Sequence, residues 1–263
     1  MLAHYEAGDP ENPLVTLAHG VCDVSLQWVD LMKHLSSKYF VIAFDSLGHG
    51  LSPRYSAEEL EVPGDSMMNA LEEALDYQEK LHGKKAVMIA HSMGAAVSSK
   101  LATYRPDLFT GLILEDPAWL SDEQAEQYKE SADEQVENSK VWRSDCLASL
   151  KDNVALRPHW DVPSQSAWVY GKSLVDPALL KRGIVSFPEP WREIAAKISV
   201  PTLVLTSDTD EVLIGTDGAQ AIRDLGNPAL SVEILPGTSH GLRLDAPQAY
   251  EKLVDAQLAQ WIG

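Results

Sequence analysis

Six short apolar runs, each separated from the next by a longer stretch, constrain this chain more than any other feature. Residues 14–18 (LVTLA), 39–44 (YFVIAF), 86–90 (AVMIA), 112–115 (LILE), 202–206 (TLVLT) and 231–235 (SVEIL) read as strands. Near-continuous hydrophobicity in runs this short means burial on both faces, which suits a mostly parallel sheet between layers of helices. The intervening segments supply those helices. Residues 66–81 bring Met67, Leu71, Leu75 and Leu81 near one face, and 246–261 do the same with Tyr250, Leu253, Leu258 and Trp261. The alternation predicts an α/β protein with a doubly wound, mostly parallel sheet.

The alternation stops at Pro117. From there to about Ile198 no strand is expected, only polar helical segments broken by Pro158, Pro163, Pro177, Pro188 and Pro190. Five of the seven tryptophans fall here: Trp119, Trp142, Trp160, Trp168 and Trp191. The expected organisation is a core formed by 1–116 and 199–263, with 117–198 inserted as a helical cap, or lid, over one end of the sheet.

In open α/β sheets, reactive groups collect beyond the carboxyl ends of the strands. Residues 87–99 read VMIAHSMGAAVSS, a strand running straight into a helix with Ser92 at the bend. Such a bend strains the serine backbone and requires small residues two before and two after it. Here they are Ala90 and Gly94. The alternative is a small-residue helix start with no chemistry, so the surrounding motifs decide.

Those motifs follow in order. A-H-S-M-G resembles the G-x-S-x-G nucleophile elbow of the α/β-hydrolases, with alanine for the first glycine. LVTLAHGVCDVSLQW (14–28) resembles that family's strand-then-HG segment, and DSLGHGLS (45–52) its D-x-x-G-x-G-x-S turn. The resemblance implies an oxyanion hole made by the backbone N–H groups of Val21 and Met93, which are fixed before charge develops. It implies a structural, glycine-dependent turn at 45–52. It also implies a histidine after the last strand, which is His240 in ILPGTSHGLRLDAPQAY. A serine hydroxyl needs such a base near neutral pH. His19 and His91 are expected to shape the oxyanion loop and the elbow. The orienting acid should follow the strand 202–206, where the family usually reads G-x-x-D. Aligning Ser207 to that glycine selects Asp210, with Asp208 and Asp116 as alternatives. The order Ser92, Asp210, His240 is that of the α/β-hydrolases, not of chymotrypsin or subtilisin. The family usually opens with a further hairpin, whereas this chain starts inside the strand LAHYEAG, so a sheet one strand short is expected.

Composition narrows the partners. The formal net charge is −18, which argues against nucleic acid, whose affinity comes largely from Lys and Arg. Eight acids and no Lys or Arg lie between Arg54 and Lys80, and seven acids with Lys129 alone lie between 122 and 137. These runs read as solvated helix faces. Cys22 and Cys146 form no CxxC or Cys/His pattern, so neither a disulfide framework nor structural zinc is expected. No H-E-x-x-H or similar spacing calls for a catalytic metal, and no cofactor is expected. The opening MLAHYEAGDPENP has neither basic region nor apolar run, and no stretch reaches ~18 apolar residues. A reduced, cytoplasmic protein is expected, without membrane insertion.

Taken with the resemblance, these features imply a serine hydrolase acting on a small-molecule carboxylic ester or lactone through an acyl-enzyme. Trp119, Trp142, Trp160 and Trp168 are expected to line a pocket for an apolar or aromatic group. Two other uses of the same residues stay open: a ligand receptor with slow hydrolysis, and a cofactor-free C–C lyase or hydrolase.

Overall fold

The computed structural model describes residues 1–263. Seven strands form one sheet: β1 (His4–Ala7), β2 (Leu14–Ala18), β3 (Phe40–Phe44), β4 (Ala86–His91), β5 (Phe109–Glu115), β6 (Thr202–Thr206) and β7 (Leu230–Ile234). Their spatial order is β1-β3-β2-β4-β5-β6-β7. Every pairing is parallel except β1 with β3 at one edge. The doubly wound, mostly parallel sheet expected from the alternation is the one observed.

Burial explains why the central strands have no polar face. Every residue of β2, β3, β4 and β6 is buried, whereas the edge strands β1 and β7 are partly exposed. Alternate side chains feed two cores: Met88 and Ala90 point to the larger one, Val87 and Ile89 to the other. Five helices cover the two faces, the first four of them linking successive strands: α1 (Val29–Leu35), α2 (Pro63–His82), α3 (Ser92–Tyr104), α10 (Gly215–Asp224) and α12 (Pro247–Ile262). Leu81, expected on the buried face of α2, is exposed because it falls in the last turn, beside the left-handed cap at Gly83.

Between β5 and β6 the chain leaves the sheet through six helices: α4 (Asp122–Glu130), α5 (Ala132–Ser144), α6 (Cys146–Leu156), α7 (Val162–Leu174), α8 (Pro177–Arg182) and α9 (Trp191–Lys197). Asp145, Asp161 and Asp176 begin α6, α7 and α8 by accepting a backbone N–H from the first turn. Helix α7 lies against the turn Ser25–Trp28, beyond the carboxyl end of β2. A short α11 (Leu242–Asp245) precedes the final helix. No helix is long and apolar enough to cross a membrane.

Candidate active site

Strand β4 becomes helix α3 with no residue between them: His91 ends one and Ser92 begins the other. The turn holds Ser92 at φ 52°, a region that costs a non-glycine residue about 1–3 kcal/mol. Close backbone approach explains the small neighbours. A Cβ on Gly94 would lie 2.5 Å from the His19 carbonyl oxygen, and one on Gly20 would lie 3.1 Å from the Ser92 Cβ. The first turn of α3 thus lies directly on the end of β2, and Gly94 N–H donates to His19 O at 3.2 Å.

The loop after β2 is held by the histidine that opens it. Burial depresses the His19 imidazole below its ordinary value, so the ring is neutral. Its Nδ1–H donates to Gly20 O at 2.7 Å, and its Nε2 accepts the Ser46 N–H at 2.9 Å. Within this loop the Val21 N–H finds no acceptor in the chain. Met93, second in α3, carries an N–H that precedes the intrahelical ladder. Two backbone donors are therefore spare on either side of Ser92. The following turn at 45–52 is glycine-dependent: Gly48 and Gly50 have positive φ, and a Cβ on Gly50 would strike the Asp45 carboxylate at 2.1 Å. That carboxylate ties the turn to the loop by accepting from Ser25 N and Oγ at 2.8 and 2.6 Å.

His240 lies beyond β7, just before α11. Its Nδ1–H donates to Asp116 Oδ2 at 2.5 Å, which leaves Nε2 as the basic nitrogen. His91 braces the same residue from the elbow, its Nε2–H donating to the His240 carbonyl at 2.9 Å, with the two rings 4.5 Å apart. Ser92 Oγ makes no hydrogen bond within the chain, to His240 or to any other residue. Catalytic contacts commonly tighten only when substrate binds.

The acid expected at Asp210 is corrected by this geometry. Asp210 lies exposed in a turn and its carboxylate has no partner. Asp208 is exposed too, and accepts the Gly237 N–H at 2.8 Å, bracing the approach to His240. Asp116, fully buried at the end of β5 with φ 37°, holds the imidazole instead. The loop after β6 contributes donors and not the carboxylate. Leu213 N–H reaches Asp116 Oδ2 at 2.8 Å, while Ile214 N–H and Thr206 Oγ–H reach Oδ1 at 3.1 and 3.0 Å. β5 is adjacent to both β4 and β6, so an acid at its end sits between serine and histidine.

Ser92 and His240 line one cavity of about 500 Å³, roofed by residues of the excursion. Trp160 and Trp168 line it; Trp119 and Trp142 do not. Trp119 is buried in the core beneath, its ring parallel to Trp191 at 5.4 Å and its Nε1–H on Ser99 Oγ at 3.0 Å. Trp142 packs edge-on against Trp168 from behind. Missed from the sequence are the polar wall residues Asp23, Gln27, Lys172 and Arg243. Nothing in their local sequence brings 23, 172 and 243 together; only the tertiary fold does. Asp23 is flanked by His91 at 3.6 Å and Lys172 at 4.0 Å. Burial raises its carboxyl, but those neighbours outweigh burial and hold it well below the usual carboxylate range.

Comparison with known proteins places the chain in a family and a fold. A family model described as serine aminopeptidase, S33, matches residues 9–247. The chain is 26% identical to 3-oxoadipate enol-lactonase 1 of Acinetobacter baylyi, over 80% of this chain and 76% of that one. It is 25% identical to a monoglyceride lipase homologue of monkeypox virus, over 95% and 88%. Among solved structures, E-2-(acetamidomethylene)succinate hydrolase superposes with a TM-score of 0.77 at 18% identity, covering 97% of this chain and 94% of that one. An esterase from Exiguobacterium antarcticum gives 0.75 at 18%, covering 98% and 95%; such likeness speaks for the fold.

Proposed function

The chain belongs to the serine aminopeptidase S33 family of α/β-hydrolases, and from that premise we propose that it cleaves a carboxylic ester or lactone through an acyl-enzyme on Ser92. The observation that carries the reading is the pairing of buried Asp116 with His240 at the cavity that holds Ser92 at a strained bend. His240 Nε2 takes the Ser92 proton as the hydroxyl attacks the carbonyl, and Asp116 stabilises the imidazolium that forms. The oxyanion of the tetrahedral intermediate rests on the Val21 and Met93 N–H groups; losing one such donor typically costs ~10²–10³ in rate. His240 then protonates the leaving alcohol, and water repeats the sequence on the acyl-serine. Residues 117–198 act as the cap, with Trp160 and Trp168 taking an apolar or aromatic part of the substrate. The enol-lactonase and lipase relatives support an ester or lactone over other acyl bonds.

The test is a fluorophosphonate probe with a panel of p-nitrophenyl esters, run on parent and Ser92→Ala protein. Turnover and labelling that both vanish in the variant are expected. Ester hydrolysis persisting in Ser92→Ala near the parent's rate would falsify the assignment.

A further inference from the structure

The wall of the catalytic cavity holds more hydrogen-bond donors on cationic and amide groups than the protein itself satisfies. Lys172, on the roof helix α7, lines the cavity with its side chain only 16% exposed. Its ammonium is 4.0 Å from Asp23 Oδ1, beyond hydrogen-bond distance, and makes no hydrogen bond. The rings of Trp168 and Trp142, at 5.3 and 5.6 Å, hold the charge in place from the apolar side. Opposite, Arg243 is 5% exposed. Its Nη1–H meets Glu115 Oε2 at 2.9 Å, but its Nε and Nη2 have no partner. Beside it in the same wall, both polar atoms of the buried Gln27 amide are unpartnered.

A buried donor left unpaired is costly, so several in one cavity wall mark a place where an acceptor belongs. Glu115 and Asp23 give Arg243 and Lys172 their counter-charges, yet leave most of their N–H groups unused. A group with two adjacent acceptor oxygens and a negative charge would meet the Lys172 ammonium, while the covered guanidinium of Arg243, stacked on Trp28 at 4.0 Å, adds positive potential from behind. We propose that this wall is a carboxylate subsite, centred on Lys172 and backed by Arg243 and Gln27, and that the substrate carries a free carboxylate in addition to its scissile bond. The long acidic runs lie on exposed faces of α2, α4 and α5, and in the cavity wall itself the carboxylates of Asp23 and Glu211 are set against the cations of Arg157, Lys172 and Arg243. The proposal rests on Ser92 as nucleophile only for its kinetic arm.

Binding is read first, on Ser92→Ala protein, by tryptophan fluorescence titrated with glutarate and with dimethyl glutarate. Glutarate should saturate and bind at least tenfold tighter than the neutral diester. Lys172→Met should weaken glutarate at least tenfold, and Lys172→Arg should restore most of it. Equal or tighter binding of the diester, or no saturation by glutarate, overturns the subsite. The second arm compares kcat/KM for mono-p-nitrophenyl glutarate and p-nitrophenyl butyrate on the Ser92 protein. The expected preference for the charged ester is at least tenfold, falling towards parity in Lys172→Met; an unchanged ratio in that variant counts against the subsite. Should neither ester turn over, the hydrolase reading fails while the binding arm still decides the subsite.

Discussion

Asp116 has no exposed surface, and its carboxylate accepts from four donors on three separate stretches of chain. Its two oxygens are fully engaged, so the imidazole they orient can hold only one tautomer. Asp116→Asn keeps the shape and removes that control. We expect kcat to fall by about 10⁴, as for the analogous change in a serine protease triad. Asp210→Asn should leave kcat near the parent's, since that carboxylate touches nothing. Ester kinetics on the two variants decide the matter, and a crippled Asp210→Asn beside an active Asp116→Asn would refute the pairing. The serine and the histidine expected from the sequence each sit in a local motif beside a strand end, and the structure places both on one cavity. The acid was harder to place: the sequence makes Asp116 only an alternative to Asp210, because Asp116-Pro117 looks like an ordinary turn after a strand. One signal was present: Ser207 replaces the glycine of the G-x-x-D pattern, and the neighbouring strand also ends in an acid.

At the scale of elements, the meeting of β4 with α3 depends on absent side chains as much as present ones. Gly94 stands against the carbonyls of Ala18 and His19, with no room for a methyl group. Gly94→Ala should push α3 away from β2 and destabilise the fold by about 1–3 kcal/mol, read by urea unfolding. Its activity should fall by more than the loss of folded protein explains, because the Met93 N–H moves with the helix. An unaltered midpoint and rate would mean that the helix start yields without strain. The strands were readable because burial on both faces leaves a nearly pure apolar run. The tryptophans were readable as a cluster but not by role. A large aromatic ring serves equally as core filler or cavity wall, and only the helix packing of the excursion turns Trp119 inward and leaves Trp160 and Trp168 facing the cavity.

Across the whole molecule, two carboxylates meet where the layer of α1 touches the excursion. Asp30, at the start of α1, lies beside Asp161, the residue that begins α7. Desolvation first, then the Asp161 carboxylate, push the Asp30 carboxyl up to about 6. The native protein therefore binds this proton more readily than the unfolded chain does, and the unfolded value is about 3.9. Asp30 thus subtracts stability near neutral pH, and the loss is relieved as pH falls through 6 towards 4. Asp30→Asn should raise Tm near neutral pH, with an advantage that shrinks as the solution is acidified. Identical melting curves at neutral pH would rule out a raised Asp30 carboxyl. The anchoring of the base from β5 also has a consequence for the cavity. In the segment from Asp208 to Leu213, the side chains of Asp208 and Thr209 brace the loop before His240 and the Leu213 N–H reaches Asp116, while the side chains of Glu211 and Leu213 line the cavity. Substitutions at Glu211 and Leu213 therefore reshape the cavity wall without touching the side-chain pairing of Asp116 with His240.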